Sequence, residues 1–166
     1  MRSARAERLV IGLCEFVDIA EWRVRGLRAK VDTGARSSAL HVEHLREVGR
    51  DRVRFDVRLH RSKTERRVSV EAPIVRRARV RASTGVASTR IFVAVTVRIG
   101  PFVERIELGL VDRANMLYRM LLGRTALGSH FLVDPCRRYL LTAAARASAR
   151  PRPKQRPKPS DTRRGA

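Results

Sequence analysis

The sequence predicts an all-β protein, built as a barrel or a sandwich, and three observations favour that class. Apolar residues recur at every second position from Val53 to Leu59 and from Ile91 to Ile99. Successive side chains of a strand point to opposite faces, so each run predicts a strand with one face in a core. Turn residues separate many such short runs, and helical periodicity is scarce. Together these features favour a barrel or a sandwich.

The remaining elements are predicted from weaker patterns. Further strands, rich in β-branched residues, are expected at 9–17, 22–31, 67–71, 74–81, 102–111 and 139–141. Gly100-Pro101 predicts a tight connection between two strands, and Ser83-Thr84-Gly85 predicts a hairpin tip, where glycine accepts a positive φ. Two short helices are expected, one weakly amphipathic and one of one or two turns, at 38–48 and 123–129.

Length and composition fit one folded domain with a strong positive charge. The 166 residues include 37 Lys and Arg against 16 Asp and Glu, a net charge of +21, and 43% of the residues are hydrophobic, enough for a core. Residues 143–166 hold four of the seven prolines, eight basic residues and one acid, which predicts a disordered basic tail. Subtracting the tail's +7 leaves +14 for the predicted domain, 1–142.

The lengths of the apolar runs and the spacing of the two cysteines indicate the cellular compartment. No apolar run approaches the roughly 20 residues that span a bilayer. The apolar stretch after the basic N-terminus ends at Glu15, too early for a secretion signal. We therefore expect a cytoplasmic protein without a membrane span. Cys14 and Cys136 lack a metal-type spacing, which predicts two buried reduced thiols and leaves a single disulfide as an alternative.

An Asp-Thr-Gly triplet, Asp32 to Gly34, is the main functional signal in the chain. It follows an apolar strand that ends at Val31. Aspartic-protease chemistry needs a carboxylate held rigidly at a turn, a hydroxyl able to support it, and a glycine that leaves room for substrate backbone or water. The same residue types also favour an ordinary turn after a strand, so the triplet alone leaves both interpretations open.

A second segment strengthens the catalytic interpretation. Residues 120–127 read MLLGRTAL, three apolar residues followed by Gly-Arg and a short helical turn. The chain also contains KVDTGARSSALH from Lys30, RVRF from Arg52, EAPIV from Glu71 and FLVDP from Phe131. With these segments it resembles the bacterial retropepsin-like aspartic endopeptidase family often labelled "ATP-dependent zinc protease". The resemblance covers residues 9–141 and implies a retropepsin-like closed barrel with one short C-terminal helix.

Metal and nucleotide motifs do not accompany the triplet. A zinc hydrolase needs three or four ligands, often on a helical H-E-x-x-H, and here only His41 and His44 have a helical spacing. A Gly-rich phosphate loop of the G-x-x-x-x-G-K-[ST] type is absent from the sequence as well. We therefore expect no metal and no cofactor, in spite of that label.

The resemblance implies a catalytic site made by two copies of the chain. Two carboxylates must flank a water molecule, and this chain supplies one triplet, so a homodimer would place Asp32 of each copy face to face. Catalytic roles are then expected for Asp32, Thr33 and Gly34. Thr33 would support the loops through its hydroxyl, and Gly34 would admit substrate backbone.

Substrate-binding residues are expected beside the triplet, at the hairpin tip that is the candidate flap, and at the start of the helix: Ala35, Arg36, Ser83, Thr84, Gly85 and Arg124. Retroviral relatives carry an acid where this chain has Arg36. Arg124 must therefore find another partner, or face the site beside Arg36. Two arginines there would favour acidic peptides. Family relatives commonly accompany ATP-grasp glutamate ligases, which suggests glutamate-rich substrates.

Charge alone supports a different class of function. A net charge of +21 with a basic tail suits salt-sensitive binding to RNA, ribosomes or DNA. The eight aromatic residues, however, form no recognisable stacking motif in the sequence. A third alternative is a retropepsin fold without activity that serves as a peptide-binding module. Our prediction is the homodimeric aspartic peptidase, with weak nucleic-acid binding through the tail.

Overall fold

The computed structural model describes residues 8–59, 66–81, 85, 87–111 and 117–143. The strands in these residues are β1 (Leu9–Gly12), β2 (Cys14–Ile19), β3 (Val24–Val31), β4 (Ser38–Val48), β5 (Arg52–Arg58), β6 (Arg67–Pro73), β7 (Arg76–Arg81), β8 (Ala87–Ile99), β9 (Phe102–Val111), β10 (Met120–Leu122) and β11 (Phe131–Asp134). A 3₁₀ turn covers Ala20–Trp22, and helix α1 covers Arg124–Leu127. Within the described ranges, no helix is long and apolar enough to cross a membrane.

Nine of the strands form one sheet, in the order β10, β3, β2, β8, β9, β4, β5 and β6, with β7 paired to β8. Strand β10 pairs with β4 as well as with β3, which closes a ring of six strands. The ring is uneven, because β2 and β8 meet at a single pair, Asp18 and Arg98. β1 and β11 form a separate parallel pair. The predicted mostly β fold with one short helix near the end of the described chain is confirmed.

The core is built from the alternating apolar positions that the sequence identified. In β5, Val53, Phe55 and Val57 are buried, and in β8 the same holds at every second residue from Val93 to Ile99. Burial of a large apolar side chain stabilises a fold by roughly 1.5–3 kcal/mol. These two strands therefore contribute a substantial part of the packing energy. Their apolar residues alternate regularly because one face of each strand is buried in the core.

Strand β4 corrects the helix expected at 38–48. Its first five residues, from Ser38 to Val42, are all buried because β9, β10 and β5 pair with this strand. A strand buried on both faces shows no alternation, so its sequence imitates a short amphipathic helix. The second half contains a bulge, at which His44 adopts φ 51. Tertiary pairing decides the conformation here, not local propensity.

The segment after β11 corrects two further expectations. Residues 139–141 are not a strand, although Tyr139 N donates a 2.8 Å hydrogen bond to the Cys14 carbonyl. Tyr139 itself has φ 58, which interrupts regular extended structure. Cys14 is buried as expected, but Cys136 is exposed, and both thiols are free. The alternative of a disulfide between them is wrong.

The same segment is fixed to β2 by a buried carboxylate. Glu15 is completely buried and accepts hydrogen bonds from Gly12 N, Leu141 N and the Thr142 hydroxyl, at 3.0, 3.2 and 2.5 Å. Thr142 Oγ1 in turn accepts a hydrogen bond from Phe16 N at 3.2 Å. Because a buried carboxylate is costly unless its oxygens are bonded, this network holds the last described residues in place.

Candidate active site

The Asp-Thr-Gly triplet lies in the loop between β3 and β4, and β10 lies between those two strands. Asp32 N donates a 2.9 Å hydrogen bond to the Leu122 carbonyl at the end of β10. β10 runs parallel to β3, with Leu122 opposite Val31, and antiparallel to β4, with Met120 opposite Leu40. The chain therefore enters and leaves the loop along the two edges of one short buried strand, which fixes both ends of the loop.

The carboxylate of Asp32 is held by backbone amides of its own loop. Its Oδ1 accepts hydrogen bonds from Gly34 N and Ala35 N, both at 3.1 Å. Among the described residues, no group donates a hydrogen bond to Oδ2 of this half-buried side chain. One oxygen is thus fixed and the other is left for water. An ordinary turn of this kind makes the same two bonds, so they do not separate the two interpretations of the triplet.

Residues at the start of α1 bind the carbonyl groups of this loop. Arg124 Nη1 donates to the carbonyls of Thr33 and Gly34, each at 2.9 Å, and Arg124 N donates to the Ala35 carbonyl at 2.9 Å. Thr125 binds the next carbonyl, that of Arg36, through both N and Oγ1, at 3.0 Å each. The first amides of a helix have no partner within it, and here the loop supplies the acceptors.

Gly123 brings the loop and the helix into close contact. Gly123 N donates a 3.1 Å hydrogen bond to the Ser38 hydroxyl, which is buried. A Cβ at position 123 would lie 2.5 Å from the Ser37 carbonyl carbon and 2.6 Å from its oxygen. Only glycine fits against that backbone. The Gly-Arg sequence therefore has two separate functions, with the glycine permitting the approach and the arginine binding the loop.

A groove of about 720 Å³ begins at Arg36 and Ser37 and continues between β7, β9 and α1. Its floor includes Phe92, whose ring is covered by the Arg76 guanidinium at 3.7 Å. Arg76 also forms a 2.8 Å ion pair with Glu107. Three other arginines line the groove, and none of them forms an ion pair with a described acid: Arg36, Arg79 and Arg105. Glu104 also lines the groove without an ion pair among the described residues, so four arginines face two acids and the lining carries a net charge of +2.

These sequence patterns and this geometry agree with a comparison against protein families. Residues 10–144 match the family described as RimB-like, retropepsin-like aspartic endopeptidase RimB. The match covers more than half of the chain and includes the triplet loop, β10 and α1. The chain belongs to the RimB-like family. Its resemblance to retropepsin-like aspartic endopeptidases, inferred from the triplet and the Gly-Arg segment, is thereby confirmed.

Curated relatives of this RimB-like chain carry a different name. A "Probable alpha-L-glutamate ligase" of Shewanella pealeana is 32% identical over 139 residues, which cover 81% of this chain and 30% of the relative. A protein of Desulfotalea psychrophila with the same name is 30% identical over 144 residues, which cover 84% of this chain and 31% of the relative. The chain spans about 30% of the length of these relatives.

A solved structure shares the fold. The crystal structure of a Legionella pneumophila protein with unknown function superposes with a TM-score of 0.66 at 27% sequence identity. The match covers 81% of this chain and 99% of the Legionella chain. The described RimB-like fold therefore corresponds to nearly all of the solved Legionella chain.

Strand β7 of the hairpin that carries the predicted flap borders the groove. Strands β7 and β8 form the expected hairpin, with Arg81 opposite Ala87, and Ala78 and Val80 of β7 line the groove. Gly85 is exposed at φ 86, a conformation that favours glycine. Ser83 and Thr84 lie outside the described residues. The flap role of this tip remains a prediction.

The other predicted site residues divide between the loop and the groove. Asp32, Thr33, Gly34 and Ala35 form the loop, and Arg36 lies where the loop meets the groove. For Arg124 the sequence left two alternatives, another binding partner or a position facing the site beside Arg36. The first is found, because the Arg124 guanidinium binds loop carbonyls. Ser38 and Thr125 were missed by sequence reasoning, since both sit in segments whose partners are more than 80 positions away.

Two histidines with a helical spacing in the sequence lie apart from the triplet loop. His41 is buried in β4, with Nε2 3.5 Å from a Glu43 carboxylate oxygen, whereas exposed His44 pairs with Asp56 at 2.9 Å. Hydrogen bonds from the Ser69 hydroxyl and then from His44 hold the pKa of Asp56 below its usual range. Within the described ranges, no three His, Cys, Asp or Glu side chains are arranged to bind a metal ion.

Proposed function

We propose that the chain is an aspartic endopeptidase that acts as a homodimer. The observation that carries this proposal is the anchoring of the Asp32 loop from outside: Asp32 N donates to the Leu122 carbonyl of β10, and the Arg124 guanidinium donates to two carbonyls of the loop. A carboxylate oriented in this way can accept a proton from water without losing its geometry. Membership of the RimB-like family supports the same chemistry.

A second copy of the chain would supply the second carboxylate. One ionised carboxyl group must take a proton from the water, while a protonated partner donates to the carbonyl of the peptide bond. The Asp-Thr-Gly triplet occurs once in the sequence, and no other described carboxylate hydrogen-bonds with Asp32. A twofold dimer would bring the two triplet loops together and would complete the site by symmetry.

The other residues of the loop would position the two carboxylates. Thr33 and Gly34 are exposed on the loop surface, where a partner copy and substrate can reach them. The Thr33 hydroxyl has no hydrogen-bond partner within the described part of one chain, so its supporting role would require the second copy. Arg124 would act through the loop as a positioning residue, because it binds the carbonyl groups of two consecutive peptide units, Thr33–Gly34 and Gly34–Ala35.

Acidic or glutamate-rich peptides are the substrates that we propose. Arg36, Arg79 and Arg105 line the groove without acidic partners among the described residues, and arginines bind carboxylates through strong, directional hydrogen bonds. The curated relatives are named as glutamate ligases, which points independently to glutamate chemistry. An endopeptidase with this groove would cut chains in which several carboxylates flank the scissile bond.

The test uses the full-length protein with mixed neutral and glutamate-rich peptides, from about pH 4 to about pH 8, with cleavage detected by mass spectrometry. Asp32→Asn is the matched variant, because it preserves shape and removes the charge; circular dichroism checks its fold. We expect cleavage by the wild type and none by Asp32→Asn. Absence of cleavage by the wild type would favour a peptide-binding module. Cleavage that survives Asp32→Asn and stops with a chelator would favour a zinc enzyme.

Substrate preference has a separate test. We expect Arg105→Ala to raise KM for glutamate-rich peptides about tenfold, and to leave KM for neutral peptides nearly unchanged. Arg46→Ala is the control, since Arg46 is an exposed arginine of β4 that does not line the groove. Equal effects on both peptide classes would reject the acidic specificity without rejecting the peptidase.

A further inference from the structure

A row of three aromatic side chains and one arginine crosses the outer surface of β2 and β3. Arg28 lies directly opposite Phe16 in the pairing of these strands. On one side of this pair, Tyr139 stacks on Phe16, with ring centroids 4.3 Å apart and planes 11° from parallel. On the other side, the Arg28 guanidinium lies 5.6 Å from the centre of the Tyr118 ring. The row therefore runs Tyr118, Arg28, Phe16, Tyr139.

Two further cations lie beside this row. Lys30 is exposed one alternation beyond Arg28 on β3, and Arg138 precedes Tyr139. Neither these two side chains nor Arg28 forms an ion pair with an acid in the described part of the chain. We call the six residues the aromatic–basic patch: Phe16, Arg28, Lys30, Tyr118, Arg138 and Tyr139.

The tyrosines of the patch are held over a buried thiol. Hydrogen bonding with Cys14 and partial burial raise the pKa of Tyr118, and the positive charges of Arg138 and Arg28 oppose that rise. Burial and then hydrogen bonding with Cys14 raise the pKa of Tyr139. Both hydroxyls therefore stay neutral at physiological pH, so none of the six patch residues carries a negative charge. Asp18, two positions along β2 from Phe16, is an acid outside the patch, and its Oδ1 accepts a 2.6 Å hydrogen bond from Gly26 N.

The basic end of the chain begins at this patch. Thr142 is anchored to Glu15 and to Phe16 N, and Ala143 N donates a 2.9 Å hydrogen bond to the Tyr139 carbonyl. Residues 144–166 follow directly and carry eight basic side chains and one acid. The described chain thus ends against the stacked rings, and 23 residues of strongly basic sequence continue from that point.

We propose that the aromatic–basic patch binds single-stranded nucleic acid. Bases of a single strand stack on flat aromatic rings, and lysine and arginine side chains neutralise the phosphates between them. In a duplex the base faces are already stacked, so the rings of the patch would find no partner there. The patch lies on a strand surface outside the peptide groove, and its proposed ligand is independent of the proposed peptidase activity.

The test measures the fluorescence anisotropy of labelled 12-nucleotide oligouridine, oligodeoxythymidine and a duplex DNA, titrated with the full-length protein at several salt concentrations. The variant pair Arg28→Ala with Lys30→Ala should weaken single-strand binding at least fivefold and reduce the salt slope by about 1.4. The control pair Arg46→Ala with Arg66→Ala removes the same charge from exposed positions outside the patch, on β4 and just before β6. The control pair should change binding less than twofold.

Ring variants separate stacking from charge. Tyr118→Leu should weaken binding by roughly 5- to 150-fold, whereas Tyr118→Phe should bind like the wild type. Binding to both RNA and DNA single strands supports the proposal. Tighter binding of oligouridine would also support it and would indicate a contact with the 2′-hydroxyl. Equal losses in the patch and control pairs, unchanged binding by Tyr118→Leu, or equally tight binding of the duplex would each overturn it.

Discussion

Arg124 and Thr33 are 91 positions apart in the sequence, yet Arg124 Nη1 donates a 2.9 Å hydrogen bond to the Thr33 carbonyl. The same nitrogen donates to the Gly34 carbonyl at the same distance. One guanidinium therefore binds the two peptide units whose N–H groups, those of Gly34 and Ala35, donate to Asp32 Oδ1. Because a shift of about 1 Å in a reacting group can cost about a hundredfold in rate, this contact is a sensitive point of the proposed site.

Removing that guanidinium should reduce turnover more than substrate binding. We expect Arg124→Ala to lower kcat about tenfold or more with little change in KM, because the loop loses two hydrogen bonds from a charged donor. Arg124→Lys should recover part of the loss, since an ammonium group can still bind one carbonyl. Arg98→Ala, at an exposed position of β8, is the control. A rise in KM with unchanged kcat would instead assign Arg124 to substrate binding.

Of two glycine substitutions, one should destabilise the fold and the other should reduce activity without destabilising it. Gly123→Ala places a Cβ 2.5 Å from backbone of Ser37 and should lower the free energy of unfolding by about 3 kcal/mol or more. Gly34→Ala meets only the Asp32 carboxylate, at 3.4 Å, so the protein should fold normally but lose activity about tenfold or more. Thermal unfolding and peptide cleavage measure the two effects. Full activity of Gly34→Ala would mean that nothing approaches the loop at that glycine.

The buried network of Glu15 and Thr142 should decide where the folded domain ends. Thr142→Val removes the hydroxyl that donates to Glu15 and should cost about 1–3 kcal/mol of stability, whereas Thr89→Val on an exposed position should cost almost nothing. A chain ending at Ala143 should melt within about 2 °C of the full-length protein, and one ending at Arg138 should melt far lower. Equal melting temperatures for both truncations would contradict this boundary.

Acid should weaken the β5–β6 hairpin through Asp56. The Ser69 hydroxyl and then His44 bond its carboxylate and lower its pKa in the folded state. Its stabilising contribution is therefore fully present above the usual value of 3.8 and is lost as pH falls through the lower folded pKa. We expect Ser69→Ala to melt below the wild type at about pH 6, with the difference shrinking towards about pH 3. A constant difference over that range would show that the hydrogen bond does not act through the carboxylate.

The strands that could be predicted from the sequence have one face in the core and the other towards solvent. In β5 and β8, charged or small side chains alternate with a buried apolar row, so the period of two is visible. β4 escaped prediction because its first five residues are buried on both faces. The triplet loop was predictable from its residue types. Its anchoring by Ser38 and Thr125 was not, because those contacts depend on which distant segments the sheet brings together.

The aromatic–basic patch could not be predicted from the sequence either, because its residues come from distant segments. Phe16, Tyr118 and Tyr139 are far apart in the sequence and form no motif there. The pairing of β3 with β2 and with β10, and the return of the chain after β11, bring them to one surface. Surfaces assembled from separate segments are recognisable only once the strand order is known.

The shared-carboxylate mechanism is tested most directly by mixing wild-type protein with Asp32→Asn. The wild-type concentration is held constant, a ninefold excess of the variant is added, subunits are allowed to exchange, and peptide cleavage is measured. An equal excess of an unrelated folded protein is the control. Random pairing leaves about one tenth of the wild-type copies paired with each other, so cleavage should fall about tenfold. Cleavage that stays unchanged while mixed dimers form would mean that one copy of Asp32 is sufficient, and would contradict the account.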